Sequence, residues 1–215
     1  MSKIKEFIKK NKIFSLLIVV AIAIISVGIF APIIAPYSPF EGNLSDALQP
    51  PSSEHIFGTD KLGRDVFSRV VYGTRISLTA SLVLVISIFT IGTTLGILSG
   101  YFGGIVDEII MRISDIMISF PGMVLAISLA GIMGSSVDNA VIAIMIVSWT
   151  KYARLSRSLV LKIKETDYIY AAKISGCKTI HIITRHIIPN IIPTLITTAT
   201  TDIGTMILEL SSLSF

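Results

Sequence analysis

The feature that most constrains this fold is a long stretch without a charged side chain, residues 76–100. A helix of that length, rising about 1.5 Å per residue, is long enough to cross the roughly 30 Å hydrocarbon core of a bilayer. Residues 13–40 form a second charge-free stretch, and only 15% of the chain is charged, whereas an average soluble domain is about 25% charged. The sequence therefore predicts an all-α protein, a polytopic bundle of transmembrane helices.

A basic N-terminus precedes the first apolar stretch. Residues 1–12 hold five lysines and one glutamate, and lysine and arginine accumulate on the cytoplasmic side of membranes. A secretory signal peptide begins in the same way, but its apolar region is usually only about 7–15 residues long. We therefore expect a cytoplasmic N-terminus at 1–12 and a retained first transmembrane helix at 13–35.

The rest of the chain divides by composition. Residues 36–75 are rich in Pro, Ser, Gly and Asp, so we expect them to lie outside the cell. Residues 76–215 are expected to form a core domain with about four spans. Between 151 and 185 there are eight Lys or Arg against two acidic residues, which places this segment in the cytoplasm. The prediction is a multi-pass protein of the cell membrane.

Three glycines recur at every fourth position of the second apolar stretch: Gly92, Gly96 and Gly100. Residues four apart lie on the same face of a helix. Small side chains on one face let another transmembrane helix approach closely. We therefore predict that this glycine face packs against a neighbouring helix; Gly104 continues the same spacing.

Sequence motifs for catalysis are missing from the chain. It contains neither the phosphate-binding motif GxxxxGK[ST] nor the zinc motif HExxH. Its single cysteine, Cys177, cannot form an internal disulfide. We expect no enzyme activity, no catalytic residue and no cofactor on this chain. The net charge of +4 is explained by lysine and arginine on the cytoplasmic side, so no nucleic-acid partner is expected.

Residues 162–190, which we call the elbow, have the pattern of two short amphipathic helices. Gly176 fits the position after the first helix, where glycine is favoured. Ile180, Ile183 and Ile187 are spaced to share one face of the second helix, and Pro189 is expected to end it. Such helices lie on lipid or dock into a groove of another protein. Spacing leaves both alternatives open.

Two short motifs in the elbow carry a family resemblance. "AAKISG" followed by "RHIIPN" resembles the cytoplasmic EAA loop of ABC importer permeases, with Tyr170 in place of the glutamate, followed by Ala171 and Ala172. The resemblance implies that the elbow is a coupling segment that seats in a cleft of an ATPase subunit. Tyr170, Ala171, Ala172, Gly176, Ile180, Ile183, His186 and Pro189 are then the candidate coupling residues.

Longer stretches narrow the resemblance. "HIFGTDKLGRDVFSRVVYGTRISL", "DEIIMRISDIMISFPGMVLAISL" and "YARLSRSLVL" are similar to the C-type permeases of dipeptide, oligopeptide and nickel importers. This implies a homologous second permease subunit, two ATPase subunits that bind ATP and magnesium, an extracellular solute-binding protein, and surrounding lipid. Such permeases usually continue past "LSF" with a further span, so the chain is expected to be truncated. The alternative is a non-transporting remnant or membrane anchor.

The expected solute is nickel or a small peptide. "ATTDIGTMIL" is more similar to nickel permeases, which makes Asp202 a candidate on the translocation path and Asp202 with Glu209 candidate metal contacts. The stronger alternative is a hydrogen-bonding or packing role, since a separate binding protein does most of the solute selection in such importers. His55, His181 and His186 show no ligand spacing, so no metal site is assigned.

Overall fold

The structure is a computed structural model that describes residues 11–134 and 136–213. Within these residues every regular element is helical and no strand forms, which confirms the all-α fold. Two compact units divide within α3, after Thr79. The elements in order are α1 (Lys12–Ile29), α2 (Ala31–Ile34), a 3-10 turn (Leu44–Asp46), α3 (Val66–Phe102), α4 (Gly104–Ile118), α5 (Gly122–Met133), α6 (Val137–Lys164), α7 (Asp167–Ile174), α8 (Thr179–Ile182), a π-helical turn (Ile183–Ile187) and α9 (Ile188–Leu213).

In the first unit, a polar segment between α2 and α3 folds around its own side chains. The carboxylate of Asp60 accepts hydrogen bonds from the backbone N–H groups of Leu62 and Arg64, at 2.8 Å and 3.0 Å. The guanidinium of Arg64 donates to the same carboxylate at 2.8 Å. The Arg64 side chain, aided by these N–H groups, lowers the pKa of Asp60 from 3.8 to about 2.

Asp65 joins this polar segment to the start of α3. Its carboxylate accepts a hydrogen bond of 2.7 Å from the N–H of Ser68, which is the arrangement of a helix N-cap. The other carboxylate oxygen lies 3.0 Å from Nδ1 of His55. Burial raises the pKa of Asp65, but the hydrogen bonds from Ser68 and His55 outweigh burial and hold the pKa below 3.8. Because of this cap, α3 begins at Val66, ahead of the charge-free stretch.

Helix α6 lies at the centre of the second unit. It packs against α4, α5, α7 and α9. Ile144, Tyr152 and Val160 on this helix are almost completely buried. Phe89 of α3 packs edge-on against the Tyr152 ring, with 5.7 Å between ring centroids. Such packing holds a membrane bundle together through van der Waals contact rather than through removal of water.

One face of α9 is buried along its whole length. Ile191, Leu195, Asp202, Met206 and Leu210 are its buried residues. Their spacing of four or seven residues keeps them on one helix face. Asp202 is the one charged residue of this otherwise apolar stripe.

The chain turns sharply at Pro121. A proline inside an apolar helix usually kinks it, and here the structure goes further, with two separate helices, α4 and α5, that meet at 87°. The break agrees with the steric clash that moves the residue before a proline out of helical geometry. The carbonyl of Pro121 accepts the N–H of Leu125 and so starts the second helix.

The expectation that Pro189 ends the second elbow helix is wrong. Helix continues through Pro189, from Thr179 to Leu213. The π-helical turn Ile183–Ile187 directly precedes the proline, and such a turn changes the hydrogen-bond register there, so that a residue without an N–H fits. The side chain of Asn190 donates to the His186 carbonyl at 2.6 Å and thereby satisfies this acceptor.

Three helices in the described residues are long and apolar enough to cross a membrane: Lys12–Ile29, Val66–Phe102 and Thr179–Leu213. The bent pair of α4 and α5 raises the number to four if it counts as one span. Helix α6 has the length but carries Lys151, Arg154 and Arg157 in its second half. The boundaries of the predicted spans stay a prediction.

Candidate functional site

The first half of the elbow is helix α7, which presents apolar side chains outward. The side chain of Ile174 is 88% exposed and that of Tyr170 is 49% exposed. Ala171 is also exposed, and Ala172 is half-buried. Ile174 was not among the residues predicted from sequence, although an isoleucine in the last turn before a glycine helix stop is a signal that could have identified it. Together these residues form an apolar surface of the type that binds a partner.

Gly176 ends α7 with a specific backbone arrangement. Its φ is +78°, in the left-handed region that favours glycine. The N–H of Gly176 donates to the carbonyl of Lys173, and the N–H of Cys177 donates to that of Ala172, both at 3.0 Å. These two bonds are those of a Schellman motif, which satisfies the last carbonyls of a helix. The chain direction between α7 and α8 therefore depends on a residue without a side chain.

The second half of the elbow does not present one isoleucine stripe. Ile180 is 66% exposed, whereas Ile183 is 8% and Ile187 is 0% exposed. The expectation that all three share one face is wrong for Ile180, because the π-helical turn changes the residues that face the core. Ile187 continues the buried stripe of α9. Ile183 and Ile187 therefore pack inside the chain, and Ile180 remains available for docking.

Aromatic and imidazole rings pack between the two halves of the elbow. The rings of Tyr168 and His186 have centroids 6.1 Å apart, and those of His181 and His186 are 6.0 Å apart. His186 is half-buried and Pro189 is exposed. In residues 11–134 and 136–213, no group of three or more His, Cys, Asp or Glu is arranged to hold a metal ion. The ring of His186 therefore contacts both Tyr168 and His181, and its role in coupling stays a prediction.

The predicted glycine face lies against α6. A Cβ on Gly92 would lie 2.6 Å from Cβ of Tyr152, and a Cβ on Gly100 would lie 2.9 Å from Cβ of Val160. A Cβ on Gly96 would overlap the hydroxyl of Ser156. Real Cβ atoms do not approach other atoms this closely, so these positions admit only glycine without movement of a helix. Gly104 does not belong to this face, because α3 ends at Phe102.

Asp202 is held by two side chains of α6. Nζ of Lys151 lies 2.6 Å from Oδ1, and the phenol of Tyr152 donates to Oδ2 at 2.8 Å. The aspartate and tyrosine side chains are buried, whereas the lysine side chain is 55% exposed. Both carboxylate oxygens are thus occupied by partners from the chain itself. Asp202 thus connects α9 to α6, and its place on the translocation path stays a prediction.

Ion pairs connect α6 to α4 at the end near the elbow. The guanidinium of Arg157 donates to both oxygens of Asp107, at 2.5 Å and 2.6 Å. The hydroxyl of Ser99, on α3, donates to the same carboxylate. Arg154 pairs with Asp115, one α4 turn after Arg112. The sequence reading missed these partners, although two arginines three apart and two aspartates eight apart each fall on one helix face.

The C-terminal end of α6 is also fixed to α3. Nζ of Lys164 donates to the carbonyl of Tyr101 at 2.6 Å and lies 5.7 Å from the centre of the Tyr101 ring. Lys164 is the last residue of α6 and lies inside the elbow. A displacement of the elbow therefore acts directly on the end of α3.

Comparison with known proteins gives two family matches. Residues 92–215 match the family described as "Binding-protein-dependent transport system inner membrane component". Residues 7–51 match the "N-terminal TM domain of oligopeptide transport permease C". The chain belongs to this family of inner membrane components. The resemblance carried by the elbow motifs and by the longer stretches is thereby confirmed.

Relatives of this inner membrane component are permease proteins. The dipeptide transport system permease protein DppC of Alkalihalophilus pseudofirmus is 45% identical, over 97% of this chain and 68% of its own length. The probable D,D-dipeptide permease protein DdpC of Escherichia coli is 44% identical, over 92% and 66%. The nickel permease protein NikC of Escherichia coli is 36% identical, over 84% and 65%. The chain spans about two thirds of the length of these relatives.

Family membership and the apolar helices together make this inner membrane component a multi-pass membrane protein. The first match covers the glycine face, the ion pairs, the elbow and Asp202. The residues predicted from sequence thus fall within the transport domain common to the family. Their individual roles stay predictions.

Proposed function

We propose that the chain is the permease subunit of an ATP-driven ABC importer for small peptides, and that it forms half of the translocation pathway. The observation that carries this proposal is the elbow, a short helix with exposed apolar side chains between two long helices of an inner membrane component. Ile174, Tyr170 and Ile180 form its exposed apolar surface. An ATPase cleft is the partner that such a surface fits best, because no phosphate-binding motif occurs on the chain itself.

The proposed importer contains further subunits besides this chain. A homologous second permease completes the pathway, two ATPase subunits bind ATP and magnesium, and an extracellular binding protein delivers the solute. The chain itself holds no cofactor and has no enzyme activity. Its basic N-terminus and its elbow lie in the cytoplasm, since both are rich in lysine and arginine.

In the proposed mechanism, the translocation pathway changes the side of the membrane to which it is open, because the ATPases contact the elbow differently in their two states. ATP-bound and ATP-free ATPases hold the elbow differently, and this difference is what shifts the conformational equilibrium of the spans. The elbow connects α6 to α9, Lys164 fixes it to α3, and Arg157 fixes α6 to α4. A movement of the elbow therefore reaches four helices of the second unit through direct contacts.

Small peptides are the favoured solute because two relatives named for dipeptides, DppC of Alkalihalophilus pseudofirmus and DdpC of Escherichia coli, are more similar, and over more of the chain, than the nickel permease protein. Nickel is the second candidate, supported by the similarity of residues 199–208 to nickel permeases. The third is a non-transporting remnant or anchor. Measurements of solute uptake distinguish these three candidates.

The experiment compares uptake of a labelled dipeptide and of radioactive nickel in a strain that lacks the gene. The chain is then restored with its partner subunits. Loss and rescue of dipeptide uptake alone is the expected result. Rescue of nickel uptake alone would assign the metal instead, and rescue of neither would favour the remnant.

A further inference from the structure

Two charged side chains of the second unit, one on α6 and one on α9, remain partly accessible although the chain is a multi-pass membrane protein. Lys151 lies near the middle of α6, and its side chain is 55% exposed. Glu209 lies on α9 and is half-buried. A charge inside a membrane is costly, and such residues almost always face a water-filled cavity or another charged group. We therefore expect both side chains to face water or a bound molecule.

Asp202 balances the charge of Lys151 but uses only part of the hydrogen-bonding capacity of the ammonium group. The carboxylate of Asp202 accepts one hydrogen bond from Lys151 and one from Tyr152, so each of its oxygens has a partner. An ammonium group has three N–H donors, and Asp202 takes one from Lys151. The exposed side of the Lys151 ammonium thus remains able to bind an anion.

The carboxylate of Glu209 has no hydrogen-bond or ion-pair partner among residues 11–134 and 136–213. It lies within electrostatic reach of both Asp202 and Lys151. Seven residues separate Asp202 from Glu209, which corresponds to two turns on the same face, or about 10 Å along the helix. The cluster as a whole carries one unbalanced negative charge, at Glu209.

We propose that Lys151 and Glu209 bind the two ends of a zwitterionic peptide on the translocation path. The ammonium of Lys151 contacts the peptide carboxylate, and the carboxylate of Glu209 contacts the peptide ammonium. This inference rests on the proposed permease function and names the substrate contacts within it. It also moves the predicted path residue from Asp202 to the two side chains beside it.

The spacing selects the length of the peptide. An extended chain advances at most about 3.3–3.6 Å per residue, so two or three residues span roughly 7–11 Å. That length is close to the rise of about 10 Å along α9 that separates Glu209 from Asp202, the ion-pair partner of Lys151.

The first test is the Glu209→Gln variant in the complete transport complex, measured by initial dipeptide uptake with the binding protein saturated. We expect the maximal rate to fall about tenfold, the change that loss of one charged hydrogen bond produces. The KM should stay constant, since the binding protein sets it. Glu209→Asp should recover most of the rate. Exposed Glu108, which pairs with Arg112, provides the matched control Glu108→Gln, with no expected change.

A second arm identifies the group that Glu209 contacts. The uptake of a des-amino dipeptide, which lacks the ammonium, should be equally fast in the Glu209→Gln variant and in the unaltered complex. The double variant Lys151→Met with Asp202→Asn removes the ammonium without leaving a buried charge, and it should lower the maximal rate for peptides with a free carboxylate.

Three results would overturn the inference. The first is an unchanged maximal rate in Glu209→Gln while the unaltered complex transports peptide. The second is an equal slowing of both dipeptides, which would remove the ammonium contact. The third is loss of the second permease subunit from the purified Glu209→Gln complex, which would assign Glu209 to the subunit interface. Absence of peptide uptake by the unaltered complex would instead refute the proposed function.

Discussion

Arg157 holds Asp107 with two guanidinium nitrogens, at 2.5 Å and 2.6 Å, and so ties α6 to α4 close to the elbow. The side chains are only 33% and 21% exposed. A paired fork of this kind fixes both distance and orientation, which a single ammonium cannot do. The contact lies between the proposed docking surface and the helices that would rearrange.

The first prediction concerns this pair. Arg157→Lys loses the fork while keeping the charge, and we expect it to destabilise the chain by about 1.5–3 kcal/mol. The measurement is the melting temperature of the detergent-solubilised complex. Arg112→Lys is the matched control, since the Arg112–Glu108 pair is 3.7 Å apart and 72% and 70% exposed. Equal effects of the two substitutions would contradict the structural importance of the fork.

The second prediction concerns the glycine face. Gly96→Ala should destabilise the contact between α3 and α6 by about 1–3 kcal/mol, because its methyl group would overlap Ser156. Gly204→Ala, on α9, has open space around its Cβ and should be neutral or slightly stabilising. Thermal melting of both variants in the same detergent gives the comparison, and a Gly96→Ala variant as stable as Gly204→Ala would disprove close packing at this face.

The third prediction concerns the end of α7. Gly176→Val forces a β-branched residue to a φ of +78°, which costs strain even though nothing lies within 4 Å of the position. We expect membrane insertion to remain and uptake per ATP hydrolysed to fall severalfold. Gly176→Asn should retain more uptake, since asparagine tolerates this conformation. If uptake by the valine variant is normal, the angle of the elbow is not set here.

The fourth prediction separates docking from packing within the elbow. Ile174→Asp changes an 88% exposed side chain, so we expect normal folding but weak recovery of the ATPase in a detergent pull-down. Ile187→Asp places a charge at a position with no exposure, so we expect low yield of the chain itself. Unchanged ATPase recovery with Ile174→Asp would show that α7 lies on lipid instead.

The fifth prediction is a pH dependence of the polar segment. The folded pKa of Asp60 and that of Asp65 lie below 3.8. Both groups therefore contribute stability that is complete above their unfolded pKa and is lost as the pH falls through the folded pKa. Hydrogen exchange at the Ser68 amide should be slow at pH 5 and become faster, relative to an unstructured amide, as the pH falls below 3.8 and Asp65 is protonated.

Asp65→Asn tests the cause of this dependence. It removes the charged cap of α3, so the Ser68 amide should exchange faster already at pH 5 and respond little to acid. Substitution of the exposed carboxylate Glu54 by glutamine is the control and should leave the profile unchanged. A profile of the Asp65→Asn variant identical to that of the unaltered chain would contradict the role of the cap.

Much of the architecture could be predicted from the sequence, because transmembrane helices depend on local hydrophobicity. The apolar stretches and the left-handed glycine at position 176 are features of this kind. The path of the chain at prolines could not be predicted equally well. Pro121 and Pro189 have the same local chemistry, yet one separates two helices and the other lies within one. The difference lies in the π-helical turn before Pro189, which tertiary packing stabilises.

The polar contacts between helices were the least predictable part of the site. The sequence identified Asp202 as unusual, but its partners Lys151 and Tyr152 lie about fifty positions away on another helix. Arg157 and its partner Asp107 also lie 50 positions apart on different helices. Such pairs depend on the rotation of each helix about its axis, which periodicity alone leaves undetermined.

The most direct test of the central claim is ATP-driven uptake by the purified complex in proteoliposomes. The chain, its partner permease and the two ATPases are reconstituted, and the binding protein and labelled dipeptide are supplied on the outer side. The account predicts accumulation of dipeptide that requires ATP on the elbow side and that fails when the Ile174→Asp chain replaces the unaltered one. A complex that assembles and hydrolyses ATP but accumulates no dipeptide would contradict it.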